Sequence, residues 1–139
     1  MVDRIFKKKP FLIIVSGFIA LLSFCLHGTS YQITIYSAQI DQTGPGGKNW
    51  DTFNKLPDPF VTVSINGNKQ FSTSVRDNTC SPEWDETFTI DYRHGDTIVI
   101  EVWDQDLAFN DLIGRWKSAG LPGEEIGHGS FRNLKIRIN

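Results

Sequence analysis

The sequence predicts an all-β protein: a single antiparallel β-sandwich of two sheets and 7–8 strands. Three observations predict it. Apolar residues recur at every second position from Tyr31 onward, turn residues punctuate those runs, and no stretch after residue 30 carries an apolar stripe at helical spacing. Many short antiparallel strands in roughly 110 residues fit a two-sheet sandwich of one domain. A domain of that size buries an adequate core without a disulfide or structural zinc.

Taken in order, Tyr31, Ile33 and Ile35 alternate with Gln32 and Thr34, and Val61, Val63 and Ile65 alternate with Thr62 and Ser64. Ile98, Ile100 and Val102 share one face of a strand with Glu101 on the other, and Leu134, Ile136 and Ile138 alternate with Lys135 and Arg137. With the runs between them, these predict seven strands at 31–38, 60–65, 69–75, 86–92, 97–103, 113–118 and 130–138. Asn66-Gly67 suits the positive φ values of a tight hairpin turn, and His94-Gly95-Asp96 divides two further strands.

Residues 1–29 read as a targeting segment and 30–139 as the folded domain. Arg4 and Lys7 to Lys9 precede an uncharged apolar run at 11–26, the basic-then-apolar pattern of a secretory signal. Sixteen residues rise about 24 Å as a helix, short of a bilayer core of about 30 Å. Three readings stand side by side. Leu22-Ser23-Phe24-Cys25 resembles a bacterial lipobox, departing from it at Phe24, and would leave Cys25 lipidated. The small residues from Gly28 to Ser30 suit ordinary signal cleavage and secretion. An uncleaved anchor is the third. All three place the domain outside the cytoplasm, membrane-anchored or secreted. Cys25 and Cys80 are the two cysteines, so removal or lipidation of Cys25 leaves Cys80 without an internal partner, and Cys80 reads as a packing residue.

After residue 25 the chain carries 10 basic and 15 acidic residues. Such a balance excludes nonspecific nucleic-acid binding, and an anionic membrane repels it unless a cation reverses the local sign. Two long loops, 41–58 and 104–111, concentrate the carboxylates: Asp51 and Asp58 in one, Asp104, Asp106 and Asp111 in the other. Neither loop holds a His or Cys, which argues against zinc or copper, whereas an oxygen-rich cluster suits Ca²⁺.

Three segments carry a family resemblance: Asp58-Pro59-Phe60-Val61, the stretch Ser81-Pro82-Glu83-Trp84-Asp85-Glu86-Thr87-Phe88, and Val102 through Asp104, Asp106 and Asp111 to Gly114. In this order, across residues 31–118, the chain resembles the C2 domain family of calcium-dependent phospholipid-binding modules. The resemblance implies a C2-like sandwich. It carries calcium ligation to Asp58, Asp104 and Asp106, with Asp111 as a further carboxylate and Asp51, or Asp41 in its place, as the first ligand. One to three ions and a phospholipid surface bridged by them follow from the resemblance. Trp50 and Phe53 in one loop and Leu107 and Phe109 in the other are the candidate membrane-contacting tips.

Other functions weigh less. Asp104 and Asp106 sit two apart on one loop, a ligand arrangement rather than an acid–base pair, and no nucleophile-elbow motif occurs, so the chain reads as no enzyme. A calcium-independent protein-interaction or adhesion module on the same sandwich is the main alternative, with a protein partner. A calcium-using carbohydrate-binding jelly roll is a more distant one.

Overall fold

A computed structural model describes residues 28–50 and 56–139. Residues 1–27 of the targeting segment, Cys25 among them, and Asp51 and Phe53 lie outside the described residues. The described residues form eight strands: β1 (Thr29–Ile40), β2 (Pro59–Ile65), β3 (Asn68–Ser72), β4 (Glu83–Tyr92), β5 (Ile98–Asp104), β6 (Asp111–Ser118), β7 (Glu125–His128) and β8 (Phe131–Ile138). They build two antiparallel four-stranded sheets, ordered β4-β1-β8-β7 and β3-β2-β5-β6. The all-β, two-sheet sandwich predicted from the sequence is the fold observed.

The alternating residues face inward between the sheets. Ile33, Ile35, Val61, Val63, Ile98, Ile100, Val102 and Leu134 are fully buried. Each such side chain contributes about 1.5–3 kcal/mol relative to leaving it in water. Along one open side, Phe71 of β3 and Phe88 of β4 stack with ring centroids 3.6 Å apart, closing the seam between the sheets. The seventh strand, β7, was not legible as a strand because it is four residues long and buries Ile126 alone.

Strand direction sets the two ends of the sandwich. At one end lie the start of β1, with Thr29 opposite Tyr92, and the end of β8, where Asn139 and Gln32 exchange two backbone bonds of 3.0 Å. The same end carries the Asn66-Gly67 turn, with φ of 50° and 81° as the sequence requires. The other end gathers the long loops that follow β1 and β5.

The first end is clasped by Asp96. Its carboxylate accepts from the Asn66 side-chain amide at 2.8 Å and from the Arg93 backbone N–H at 2.8 Å, while Asn66 Oδ1 accepts from Thr97 N–H at 3.0 Å. The Asn66 side chain, then the Arg93 N–H, hold the Asp96 carboxyl below its ordinary value. A group whose folded value is depressed stabilises the fold above its unfolded value, about 3.9, and that contribution fades as pH falls through the lower folded value. Asp96→Ala is therefore expected to melt below the parent at pH 7, with the gap closing below about pH 4. Melting curves across that range check it; a gap that stays constant with pH would remove the ionised carboxylate from the explanation.

Candidate metal centre

The acidic residues are delivered by strand ends. Pro59 of β2 lies opposite Asp104, the last residue of β5, and Asp104 lies opposite Asp111, the first of β6. Asp58 immediately precedes β2. Asp58 and Asp104 are thus neighbours across two adjacent strands, and Asp106 stands in the loop, residues 105–110, that links β5 to β6.

Backbone bonds fix this arrangement. Gln105 N–H donates to the Asp58 carbonyl at 3.0 Å, pinning the start of the loop to the start of β2. Asp58 N–H donates to Asp104 Oδ1 at 2.6 Å, and Asn78 N–H donates to Asp58 Oδ1 at 2.5 Å. Asn110 Oδ1 accepts from Asp106 N–H at 3.2 Å, folding the loop onto itself. The following stretch is tied alongside β2 as well: Val61 N–H donates to Thr73 Oγ1 at 2.9 Å, and Thr79 N–H to the Pro57 carbonyl at 2.9 Å.

Burial grades the carboxylates. Asp104 is 0% exposed, Asp58 and Asp106 are half-buried, and Asp111 is exposed. Burying a carboxylate costs several kcal/mol unless it is compensated, so a group such as Asp104 occurs where hydrogen bonds or a cation offset that cost. In the segment 104–111 every ionisable group is a carboxylate and the neighbouring donors are amides. In donor chemistry this set fits a hard, oxygen-seeking cation. Among the described residues, no three His, Cys, Asp or Glu side chains converge closely enough to form a metal-holding group. Asp58 and Asp104 are brought together, and Asp111 faces Asp104 in register but turns to solvent.

The loop after β1 departs from expectation. Trp50 is not an exposed tip: it is 7% exposed, and its indole N–H donates to the Asp41 carbonyl at 2.7 Å. Its ring packs where a Cβ on Gly44 would stand, 3.2–3.5 Å away, so the glycine-rich half of the loop folds over the indole. Asp41, the alternative first ligand, instead pairs with Arg132 at 2.7 Å. In the other loop Leu107 and Phe109 are 110% and 87% exposed. Cys80 packs against the core, and burial, then the charge of Asp41, push its thiol up, which keeps it protonated and inert at neutral pH.

Arg76, whose structural role the sequence does not signal, organises the approach to this end. Its guanidinium donates to the carbonyls of Glu83 and Trp84, at 2.6 and 3.3 Å, and reaches Glu86, while the buried Trp84 indole donates to the Ser74 carbonyl at 3.0 Å. A lone arginine in a loop gives no sequence signal of such a role.

The family model "C2 domain" matches residues 31–121, and the chain belongs to the C2 domain family. Among curated proteins, the mouse Ras GTPase-activating protein 4 is 42% identical over 65 residues, covering 45% of this chain and 8% of that protein. The fruit-fly protein unc-13 homolog 4B is 37% identical over 60 residues, covering 40% of this chain and 5% of that protein. The chain thus spans less than a tenth of the length of these relatives. Among solved structures, a "Structure of a C2 domain" superposes with a TM-score of 0.58 at 22% identity, over 78% of this chain and 96% of that one. The calcium-bound pair of C2 domains from Extended-Synaptotagmin 2 superposes at 0.61 with 19% identity, over 81% of this chain and 45% of that one. At these identities the likeness is one of fold.

Proposed function

We propose that the domain is a calcium-dependent phospholipid-binding module, exported from the cytoplasm and without enzymatic activity. The observation that carries this reading is the pairing of Asp58 and Asp104 at the ends of adjacent strands, directly behind a loop whose tips, Leu107 and Phe109, stand out in solvent. A C2 relative in fold binds calcium, and the family membership supports the same ion here. Asp58, Asp104, Asp106 and Asp111, with Asp51 from the preceding loop, are the residues that would hold it. Bound there, calcium would supply positive charge to an acidic domain and open coordination positions to lipid phosphate oxygens. Asp106 and Asp111 lie on the loop and at the strand edge, outside the packed core.

Leu107 and Phe109 then contribute by leaving water for the headgroup boundary. Flotation of the folded domain alone, residues 28–139, with phosphatidylserine vesicles tests the reading. Capture is expected in millimolar calcium and not in EDTA, and Leu107→Asp/Phe109→Asp is expected to weaken it about tenfold or more, since each side chain forfeits over 1 kcal/mol of burial. Exposed residues of this kind leave stability unchanged, so equal melting temperatures exclude a folding defect. Capture that is indifferent to both calcium and the double substitution would refute the mechanism.

A second reading has its own observation. Asp58, Asp104 and Asp106 are hydrogen-bonded within the loops, and no described trio converges. A metal-independent protein-interaction module on the same sandwich fits that geometry. In that case a calcium titration leaves the melting temperature flat.

A further inference from the structure

The connection from β3 to β4, residues 73–82, runs beside the start of β2 and touches a candidate ligand directly. Thr79 N–H donates to the Pro57 carbonyl at 2.9 Å and Arg76 N–H to the Pro59 carbonyl at 3.0 Å, so the connection brackets Asp58 on both sides. Between those two ties, in the turn at Asp77-Asn78, the Asn78 N–H donates to Asp58 Oδ1 at 2.5 Å. Residues 73–82 belong to no strand, and the Arg76 side chain ties them to β4. Its Nε donates to the Glu83 carbonyl at 2.6 Å, Nη2 to the Trp84 carbonyl at 3.3 Å and to Glu86 Oε1 at 3.5 Å, and Nη1 to Ser74 Oγ at 2.8 Å. All three guanidinium nitrogens are thus engaged. Glu86 also accepts from the Ser74 N–H and hydroxyl, and the Trp84 indole, 4% exposed, donates to the Ser74 carbonyl at 3.0 Å.

We propose that Arg76 is a positioning residue for the calcium site: by clamping the 73–82 connection to β4, it holds the Asn78 N–H against Asp58 Oδ1 and fixes the orientation of that carboxylate before the ion arrives. This rests on the calcium reading above. A carboxylate oxygen has two lone pairs, so Asp58 Oδ1 can accept the Asn78 N–H and still leave one lone pair, and all of Oδ2, to a cation. A ligand already held in place gives up less freedom on binding, and the partners that orient metal ligands are worth about 10- to 100-fold in affinity. Charge alone predicts the opposite. Arg76 is a cation beside the site, and by Coulomb's law its removal should tighten the hold on a second cation. The sign of the change in affinity therefore separates positioning from charge. A merely structural role gives a third pattern, a lower melting temperature with the affinity unchanged.

The test titrates the full chain with calcium, without lipid, and compares dissociation constants. Arg76→Gln is expected to raise the constant about tenfold. Its Asn78 amide proton is expected to exchange faster with solvent in EDTA, because the connection that presents it has lost its tie to β4. Ser74→Ala removes one Arg76 acceptor with no change of charge and is expected to weaken binding about threefold. Ser74 is exposed, so this variant carries the test if Arg76→Gln does not fold. Asp96→Ala is the stability control: its clasp lies at the other end of the sandwich, so it should lower the melting temperature and leave the calcium constant unchanged. A parent that does not bind calcium at millimolar concentration overturns the calcium reading and this inference with it. A parent that binds, with Arg76→Gln and Ser74→Ala binding as tightly or more tightly, overturns this inference alone. So does an Asp96→Ala protein weakened as much as Arg76→Gln, which would reduce the effect to stability.

Discussion

In millimolar calcium the chain is expected to melt well above its value in EDTA. A ligand that binds only the folded state adds about 2.7 kcal/mol at one hundred times its dissociation constant, which for a domain of this size is a rise on the order of 10 °C. The double variant Asp104→Asn/Asp106→Asn isolates the cause. Asparagine keeps the size of aspartate and an oxygen that can accept the Asp58 N–H now bonded to Asp104, so the loop retains its backbone anchor. It loses the charge a divalent ion needs, so the calcium-dependent rise is expected to vanish. In EDTA the variant is expected to melt no lower than the parent, because it replaces the buried carboxylate of Asp104 with a neutral amide in an acidic neighbourhood. Thermal melting of both proteins in both buffers checks the set. A parent indifferent to calcium at millimolar concentration would remove the ion from the function and favour the metal-independent reading. A rise preserved in the variant would place the ion elsewhere in the chain.

The sandwich was legible because its core is written in a period of two, and alternation survives in any context that buries one face of a strand. Val61, Val63 and Ile65 needed no further information to be placed. Asp104 was legible as a candidate through its spacing from Asp106 at a strand end and through the resemblance that segment carries; the structure adds that it continues the inward-facing series Ile98, Ile100, Val102, so the alternation that builds the core carries a carboxylate to its edge. The outcome at Trp50 was not legible. Its sequence neighbours are Asn49 and Asp51, both polar, and burial depends on how Gly44 and the carbonyl of Asp41 come round to meet the indole. The pairing of Asp41 with Arg132, 91 positions away, is equally invisible along the chain. Local pattern specifies which face of a strand is buried; the path of a long loop is settled by contacts distant in sequence, and two of the five candidate ligands, Asp51 and Asp58, ride on such a loop.

One residue ties the fold to the site more tightly than any carboxylate. Gly114 entered the sequence argument as the last member of the segment that begins at Val102, and the structure supplies its reason. A Cβ on Gly114 would stand 2.1 Å from the backbone oxygen of His128, and 2.7 and 2.9 Å from two carbons of the Phe131 ring. The His128 oxygen belongs to the turn between β7 and β8, which is further held by the Ser130 N–H donating to the Ile113 carbonyl at 3.1 Å. Neither backbone can give way freely, and Phe131 is 1% exposed. Gly114→Ala is therefore expected to cost about 3 kcal/mol or more, and Gly114→Val more still, as overpacking against backbone does. Gly123→Ala is the matched control, since a Cβ there meets nothing within 4 Å and the change should stay within about 0.5 kcal/mol. Denaturant unfolding separates them, and a Gly114→Ala protein as stable as the parent would contradict the close approach. The consequence extends to binding. Gly114 lies three residues from Asp111 in β6, beside the register shift that lets Leu112 face Trp103 and Asp111 face Asp104. Displacing β6 to admit a methyl group moves Asp111 relative to Asp104, so the calcium-dependent rise in melting temperature should shrink in Gly114→Ala although no ligand has been changed.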